Sequence, residues 1–339
     1  MQTLQLSIYT LGFLLLLALV FNFLNGFHDA ADAIATIVST GVLRPRNAVI
    51  LAAVCNVAAV LVFQLNVATS IVNDVVDPNA IDHIVIFGAL CAAIIWNLIT
   101  WYRGTPSSSS HALIGGLAGA AIAKAGTFAV LQAGLIKIIV FILLSPLFGF
   151  LFGALFMILV SWFFVRSTPR RVDQWFRRLQ LISTSMYSLG HGGNDAQKTI
   201  GIISMLLLVS GYTSSGTALP SWVAFNCYAV IGIGTLLGGW RIVRTMGQRI
   251  TKLRPVGGFC AESGGATMLF IATYLGIPVS TTHTITGAIV GVGSARKTSA
   301  VRWGIAGSIM WTWIATIPAS AFLGGLAWWI GTLIFNLGP

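Results

Sequence analysis

The sequence predicts an all-α polytopic membrane protein with about 10–12 transmembrane helices in two inverted-topology repeats, with broken or re-entrant helices. Three observations predict it. Of 339 residues, 56% are hydrophobic and 8% charged, whereas a soluble domain carries about 25% charged residues. The apolar runs are roughly 20 residues long, a helical crossing, and not the alternating segments of about 10 that a barrel shows. Two polar motifs each occur twice. Gly26-Phe27-His28-Asp29-Ala30 returns 166 residues later as Gly192-Gly193-Asn194-Asp195-Ala196. Thr105-Pro106-Ser107-Ser108-Ser109-Ser110-His111 returns 172 residues later as Ile277-Pro278-Val279-Ser280-Thr281-Thr282-His283. Matching polar interruptions in two hydrophobic halves mark a secondary transporter.

Taken in order, the apolar runs place helices at 5–25, 28–43, 46–70, 83–102, 111–128, 133–165, 181–209, 218–240, 256–276, 280–295 and 303–336. The runs 133–165 and 303–336 exceed one crossing, and each contains a proline, Pro146 and Pro318. These prolines are also 172 apart, as are Gly115 and Gly287, and Gly153 and Gly325. A constant offset over so long a stretch argues for a duplication. The chain accordingly divides into a first transmembrane repeat, 1–165, a basic cytoplasmic linker, 166–180, and a second repeat, 181–339.

The net charge of +11 does not point to nucleic acid, because such binding needs a basic stripe on a soluble fold. The basic residues cluster between apolar runs instead: Arg166, Arg170, Arg171, Arg177 and Arg178; then Arg241, Arg244, Arg249, Lys252 and Arg254; then Arg296, Lys297 and Arg302. By the positive-inside rule these are cytoplasmic. Arg44 and Arg46 put the end of the first Asp-motif helix inside, while the acidic stretch 73–82 suits the outside. The second Asp-motif helix starts inside and ends at the uncharged loop 211–219, so the two copies run in opposite directions. Lys124 and Lys137 fall on the outer side and run against the rule. Cys55, Cys91, Cys227 and Cys260 lack metal-ligand spacing and read as packing residues. The first ten residues have no positive n-region, so the first apolar run reads as a retained span.

Four acids lie outside loops: Asp29, Asp32, Asp195 and Glu262. An ionisable group in a span costs at least roughly 2.5 kcal/mol on insertion scales, which makes each a functional candidate. Asp29 and Asp32 share one helix face by their spacing. The competing reading is an ion pair with Lys198 or another base, holding helices together; Lys198 is the repeat partner of Asp32. Gly26, Gly192 and Gly193 would let a helix start or break at membrane depth, with Asn25, His191 and Asn194 around the break. Freed amides at a helix start favour an anion, and the carboxylates a cation. The candidate anion ligands are Ser107, Ser108, Ser109, Ser110, Ser280, Thr281, Thr282 and Asn194. Hydroxyls donate without adding charge, which permits release; their competing role is close helix packing. Asp29, Asp32, Asp195 and Glu262 are the candidates for the coupling ion, with Asp29 and Asp195 as cation or metal ligands. Glu262 stands alone in an apolar span and is the candidate proton carrier, with Leu90 at its repeat position. His111 and His283 anchor the hydroxyl loops or relay protons. There is no Gly-x-Ser-x-Gly, His-Glu-x-x-His or Walker loop, so no enzyme and no cofactor is expected, and an ion gradient would drive transport.

These residues resemble the inorganic phosphate transporter (Pit) family, bacterial low-affinity type. The likeness rests on Gly192-Gly193-Asn194-Asp195-Ala196-Gln197-Lys198, on Asn25-Gly26-Phe27-His28-Asp29-Ala30-Ala31, on Trp96-Asn97 leading to the four serines, and on Cys260-Ala261-Glu262-Ser263-Gly264-Gly265 leading to Ser280-Thr281-Thr282-His283. It covers nearly the whole chain. It implies symport of inorganic phosphate with H⁺ or Na⁺ across the bacterial cytoplasmic (inner) membrane, with phosphate carried bare or as a divalent-metal complex. Membrane lipid is the surrounding partner, and the resemblance leaves a homodimer open. A sulfate permease of the same family, and after it an ion channel, are the alternative readings. Asp32 stands where bacterial relatives usually carry Asn; an added carboxylate would repel a bare dianion or hold a further cation.

The inverted topology predicts opposite exposure for equivalent positions. In a Cys-free background, Thr213→Cys is expected to react with an impermeant thiol reagent from outside, and Asn47→Cys only from the cytoplasm. Labelling of both from one side would overturn the inversion.

Overall fold

The computed structural model describes residues 7–77, 80–213 and 219–336. Most of the uncharged loop 211–219 and the first two positions of the 5–25 run lie outside the described residues. Among the described residues the fold is helical, with one isolated β-bridge between Val76 and Val130. The helices are α1 (Ile8–Ser39), α2 (Pro45–Ala58), α3 (Asn66–Asp74), α4 (His83–Arg103), α5 (Ser109–Ala125), α6 (Gln132–Phe163), α7 (Pro169–Val209), α8 (Ser221–Leu237), α9 (Trp240–Arg244), α10 (Pro255–Tyr274), α11 (Thr281–Arg296) and α12 (Trp303–Asn336). Local chemistry sets several ends. Pro45, Pro169 and Pro255 open α2, α7 and α10, where a missing N–H costs nothing. The Asp82 side chain caps α4 by accepting from Val85 N at 2.8 Å. Gly104, at φ 65°, closes that helix in the left-handed conformation.

The predicted breaks at the aspartate motifs are not there. Helix α1 runs unbroken through Gly26, and α7, 41 residues long, runs through Gly192 and Gly193. These glycines serve contact instead. A Cβ on Gly26 would come within 2.2 Å of the Ile231 carbonyl oxygen, and one on Gly192 within 2.6 Å of Asn56 O. The breaks come one helix later: α2 and its 3₁₀ extension meet α3 at 76°, and α8 meets the α9 segment at 62°. The long runs that were expected to hold more than one crossing are single helices, α6 and α12, with Pro146 and Pro318 inside them.

Among the described residues four helices, α1, α4, α6 and α12, are long and apolar enough to cross a membrane, and the two bent pairs raise the number to 6. Helices α5 and α11 have 17 and 16 residues. At 1.5 Å per residue they reach about 25 Å, short of the roughly 30 Å hydrocarbon core.

The repeats interlock. Helix α6, from the first half of the chain, packs on α10 and α11 of the second, and α12 packs on α4 and α5 of the first. The equivalent contacts match across the duplication. A Cβ on Gly287 would lie 2.1 Å from Pro146 O, and one on Gly115 2.9 Å from Ile317 O, beside Pro318. Gly291 meets Phe150 O at 2.2 Å and Gly119 meets Ala321 O at 2.0 Å in the same sense. Without glycine the helices could not approach this closely, as small residues permit in lipid.

The charged ends segregate. Arg177 donates to Gly41 O at 3.2 Å, Arg241 to Tyr102 O at 2.8 Å, and Thr251 to Ala300 O at 3.0 Å, gathering the basic clusters on one face. Lys124 and Lys137, which run against the positive-inside rule, are each paired with an acid of the 73–82 stretch: Lys124 with Asp82 at 2.8 Å and Lys137 with Asp74 at 3.0 Å. The basic stretch 166–180 is helical from Pro169 onward, the first turns of α7.

Bulk at these contacts is expected to destabilise the protein. Gly119→Val and Gly291→Val should each cost about 1–3 kcal/mol through overpacking and lower the melting temperature in detergent. Gly12→Val is the control, since nothing lies within 4 Å of its would-be Cβ. Equal melting temperatures in all three would contradict the interlocked packing.

Candidate transport site

The site forms where the starts of α5 and α11 meet the middles of α1 and α7. Ser108 caps α5 by accepting from His111 N at 3.2 Å, and Ser280 caps α11 by accepting from His283 N at 3.2 Å. The helices thus begin at repeat-equivalent residues, and their first-turn hydroxyls reach the buried carboxylates. The histidine rings that follow the caps touch each other, His111 to His283, with centroids 4.5 Å apart.

Asp29, Asp32 and Asp195 are all buried, and so is Lys198. Asp29 accepts from Ser109 Oγ at 2.7 Å and pairs with His28 Nδ1 at 2.7 Å. His28 Nε2 lies 3.0 Å from Thr100 Oγ1. Asp195 takes Lys198 Nζ at 2.5 Å and lies 3.3 Å from His191 Nε2. Lys198 also donates to Ser110 Oγ and, at 2.8 Å, to Val279 O. Thr282 donates to Asp32 at 2.8 Å, and Thr281 lies 3.2 Å from both Asp32 and Asp195. These contacts come in repeat-related pairs. Asp29–Ser109 corresponds to Asp195–Thr281, each within its own half. Asp32–Thr282 corresponds to Lys198–Ser110, each across the halves, with an acid on one side and a base on the other.

The predicted site residues therefore separate into groups. Ser109, Ser110, Thr281 and Thr282 meet the carboxylates and Lys198 directly. Ser108 and Ser280 are helix caps. Ser107 accepts from Trp96 Nε1 at 3.0 Å and bonds Thr316 Oγ1 at 3.0 Å, tying the loop to α4 and α12. Asn194 spends its amide on the loop before α11: it donates to Thr273 Oγ1 (3.1 Å) and Ile277 O (3.2 Å) and accepts from Val279 N (3.3 Å). The structure does not bring Glu262 into this cluster. It forms a second buried polar group, accepting from Thr36 Oγ1 and Ser183 Oγ at 2.5 Å each and from Gln180 Nε2 at 3.0 Å. Thr36 is one turn past Asp32 on α1.

The ion pair offered as the competing reading for the acids is present for Asp195, so that residue is both paired and at the site. Among the described residues, Asp29, Asp32 and His191 bring ligand atoms within 4.8 Å of one another, as a metal ion would need. His28 and Lys198 did not enter the predicted ligand set. Their signals were sequence spacing to an acid, adjacent for His28 and three residues on for Lys198. Tyr187, which donates to Thr281 O at 3.0 Å, had no such signal.

Chemically, the site holds hydroxyl donors whose protons are committed to carboxylates. A hydroxyl has one proton. Ser109, Thr281 and Thr282 cannot donate to an incoming anion while the neighbouring carboxylates retain them.

Residues 25–324 match the model of the family described as "Phosphate transporter family". A probable low-affinity inorganic phosphate transporter of Rhizobium meliloti (strain 1021) is 57% identical, covering 95% of this chain and 96% of its own. One from Bacillus subtilis (strain 168) is 48% identical, covering 94% and 96%. A solved structure described as "The sodium-dependent phosphate transporter" superposes with a TM-score of 0.88 at 23% identity, covering 96% of this chain and 100% of that one; the likeness is one of fold.

Lys198 is expected to be indispensable to folding while Asp195 stays charged. Lys198→Met should cost about 3–5 kcal/mol, because it strands a buried carboxylate. Adding Asp195→Asn should recover much of that loss. Thermal unfolding of the two variants checks this; an equal loss in both would mean that the pair is not coupled.

Proposed function

The chain belongs to the phosphate transporter family, and from its site we propose secondary active symport of inorganic phosphate with H⁺ or Na⁺ across the bacterial cytoplasmic membrane. The observation that carries this reading is the commitment of the Ser109, Thr281 and Thr282 hydroxyls to Asp29, Asp32 and Asp195. A proton or cation arriving on these carboxylates removes their charge and weakens their hold on the hydroxyl protons. The hydroxyls are then free to turn to phosphate, alongside the first-turn amides of α5 and α11, whose helix starts favour an anion. The cation also offsets a concentration of negative charge that would otherwise repel a dianion. Cation and anion thereby help each other to bind, which is what symport requires thermodynamically.

Asp29 and Asp195 take the coupling ion in this reading, and Asp32 adds a carboxylate shared between the halves. A divalent ion accompanying phosphate would find Asp29, Asp32 and His191 as ligands. Glu262, one turn nearer the basic face, is the candidate for a protonatable group that loads and discharges. The short helices α5 and α11 and the loops before them are the parts that would expose the site to alternate sides.

The test is uptake of labelled phosphate into proteoliposomes under imposed pH or Na⁺ gradients, with sulfate as competitor. Phosphate accumulation driven by one gradient is expected, with weak competition by sulfate. Ser109→Ala or Thr281→Ala removes a hydrogen bond to a charged group, about 1.5–3 kcal/mol, so the apparent dissociation constant should rise roughly ten- to a hundredfold. Glu262→Gln should still exchange phosphate in counterflow but fail to concentrate it. Accumulation of sulfate over phosphate would overturn the substrate, and pH-driven accumulation by Glu262→Gln would move proton coupling elsewhere.

A further inference from the structure

Helices α6, α11 and α12 leave an open apolar trough between them, with a volume of about 490 Å³. That is within the range of sites that take a small organic molecule. Leu143 and Leu147 on α6, His283 and Val290 on α11, and Trp303 and Ile317 on α12 line it. From Trp303 to Ile317 the lining extends about 21 Å at 1.5 Å per residue, so the volume is drawn out into a track. Leu143 and Leu147 are exposed, and α6 and α12 are both long and apolar enough to cross a membrane. The trough therefore opens where lipid is the solvent.

Its two ends differ. At one end Trp303 follows Arg302, and its Nε1 donates to Thr298 O at 3.1 Å, which holds the turn carrying Arg296 and Lys297 beside it. Thr251 Oγ1 donates to Ala300 O at 3.0 Å and Arg302 N to Ile250 O at 2.9 Å. These bonds bring Arg249, Lys252 and Arg254 to the same end. All six cations are exposed, and among the described residues none enters an ion pair. The only acid after Asp195 in the sequence is Glu262, which is buried with partners of its own. At the other end lies His283, whose ring stacks on Trp313 with centroids 3.8 Å apart.

A long apolar track with an unpaired cationic mouth fits a molecule that has an acyl chain and an anionic head. Basic pockets between membrane helices hold such headgroups, and burial of the chain's methylenes adds to the binding. A second copy of this chain suits the trough less. A two-fold contact sets the same patch against itself, which would oppose these cations to their own copies.

We propose that the trough seats an acyl chain of an anionic phospholipid, with the headgroup phosphate on Arg296, Lys297 and Arg302. The chain packs along α11, the helix that carries Thr281 and Thr282 into the site, and along α6, which meets α11 at Pro146 and Gly287. Lipid occupancy thereby steadies α11 from outside the site, whichever ion drives transport.

The test is the melting temperature of the purified full-length protein in detergent. It is titrated with dioleoylphosphatidylglycerol, dioleoylphosphatidylcholine or the short-chain dihexanoylphosphatidylglycerol. A saturable rise is expected with the long-chain anionic lipid, at a half-saturating concentration at least about tenfold below that of the zwitterionic one. Arg296→Gln, Lys297→Gln and Arg302→Gln together should erase this preference; the three side chains are exposed, so the fold should stand. Arg170→Gln, Arg171→Gln and Arg178→Gln, at the start of α7, should leave it intact. Met310→Trp, which fills the trough, should weaken both long-chain lipids. An equal response to the two long-chain lipids, an equal response to the short-chain one, or an equal loss in the two sets of charge variants overturns the site. So does disulfide cross-linking of Met310→Cys between copies in a Cys-free background, which would place a second copy in the trough.

Discussion

Three carboxylates are buried against one lysine in the middle of a protein whose solvent is lipid, and the rest of the site answers to that charge. Neither Asp29, Asp32 nor Asp195 can be left bare at such depth. Each is met by a hydroxyl from the start of α5 or α11, and Asp195 also by Lys198. Those hydroxyls are available because the two helices begin at Ser109 and Thr281 and bring their first-turn side chains to the carboxylates. The point at which α5 and α11 begin is therefore part of the electrostatics as well as the architecture.

What holds the short helices in place is the exchange of long ones. Helix α6 lies along α11, and α12 along α5, with glycine against carbonyl at Gly287, Gly291, Gly115 and Gly119. Each half supplies the brace for the other half's short helix. A movement of one half must then displace the other, and the contact of His111 with His283 joins the two helix starts at the centre of that arrangement. Glu262, in its own nest of Thr36, Gln180 and Ser183, joins α1, α7 and α10 one turn nearer the basic face. It lies along the same helices as the site while keeping a separate set of partners.

The pseudo-symmetry is informative where it fails. Asp32 and Lys198 occupy equivalent positions and reach equivalent hydroxyls with opposite charge. His191 and Asn25 are equivalent as well, one bonded and one without a hydrogen-bond partner among the described residues. A duplicated scaffold thereby presents a cation-poor half and a base-rich half to the same small volume. That difference can separate the binding of a cation from the binding of an anion without abandoning the repeat.

Much of this was legible in the sequence, because lipid imposes strong rules. Length and apolarity of the runs gave the helical class, the basic clusters gave one charged face, and constant offsets paired Asp29 with Asp195, Pro146 with Pro318, and Ser109 with Thr281. Lys124 and Lys137 defied the charge rule until their partners, Asp82 and Asp74, were placed beside them, since a window along the chain cannot see a neutralising residue from another helix. Local propensity also misplaced the breaks. A glycine beside an aspartate allows either a helix interruption or a close helix contact, and only the nearness of Ile231 and Asn56 selects the second. The swap of α6 and α12, the separation of Glu262 from the aspartates, the clamp role of Asn194 and the trough between α6, α11 and α12 were decided by tertiary structure alone. They depend on distances between segments far apart in the chain, and sequence spacing carries information only about residues that share an element.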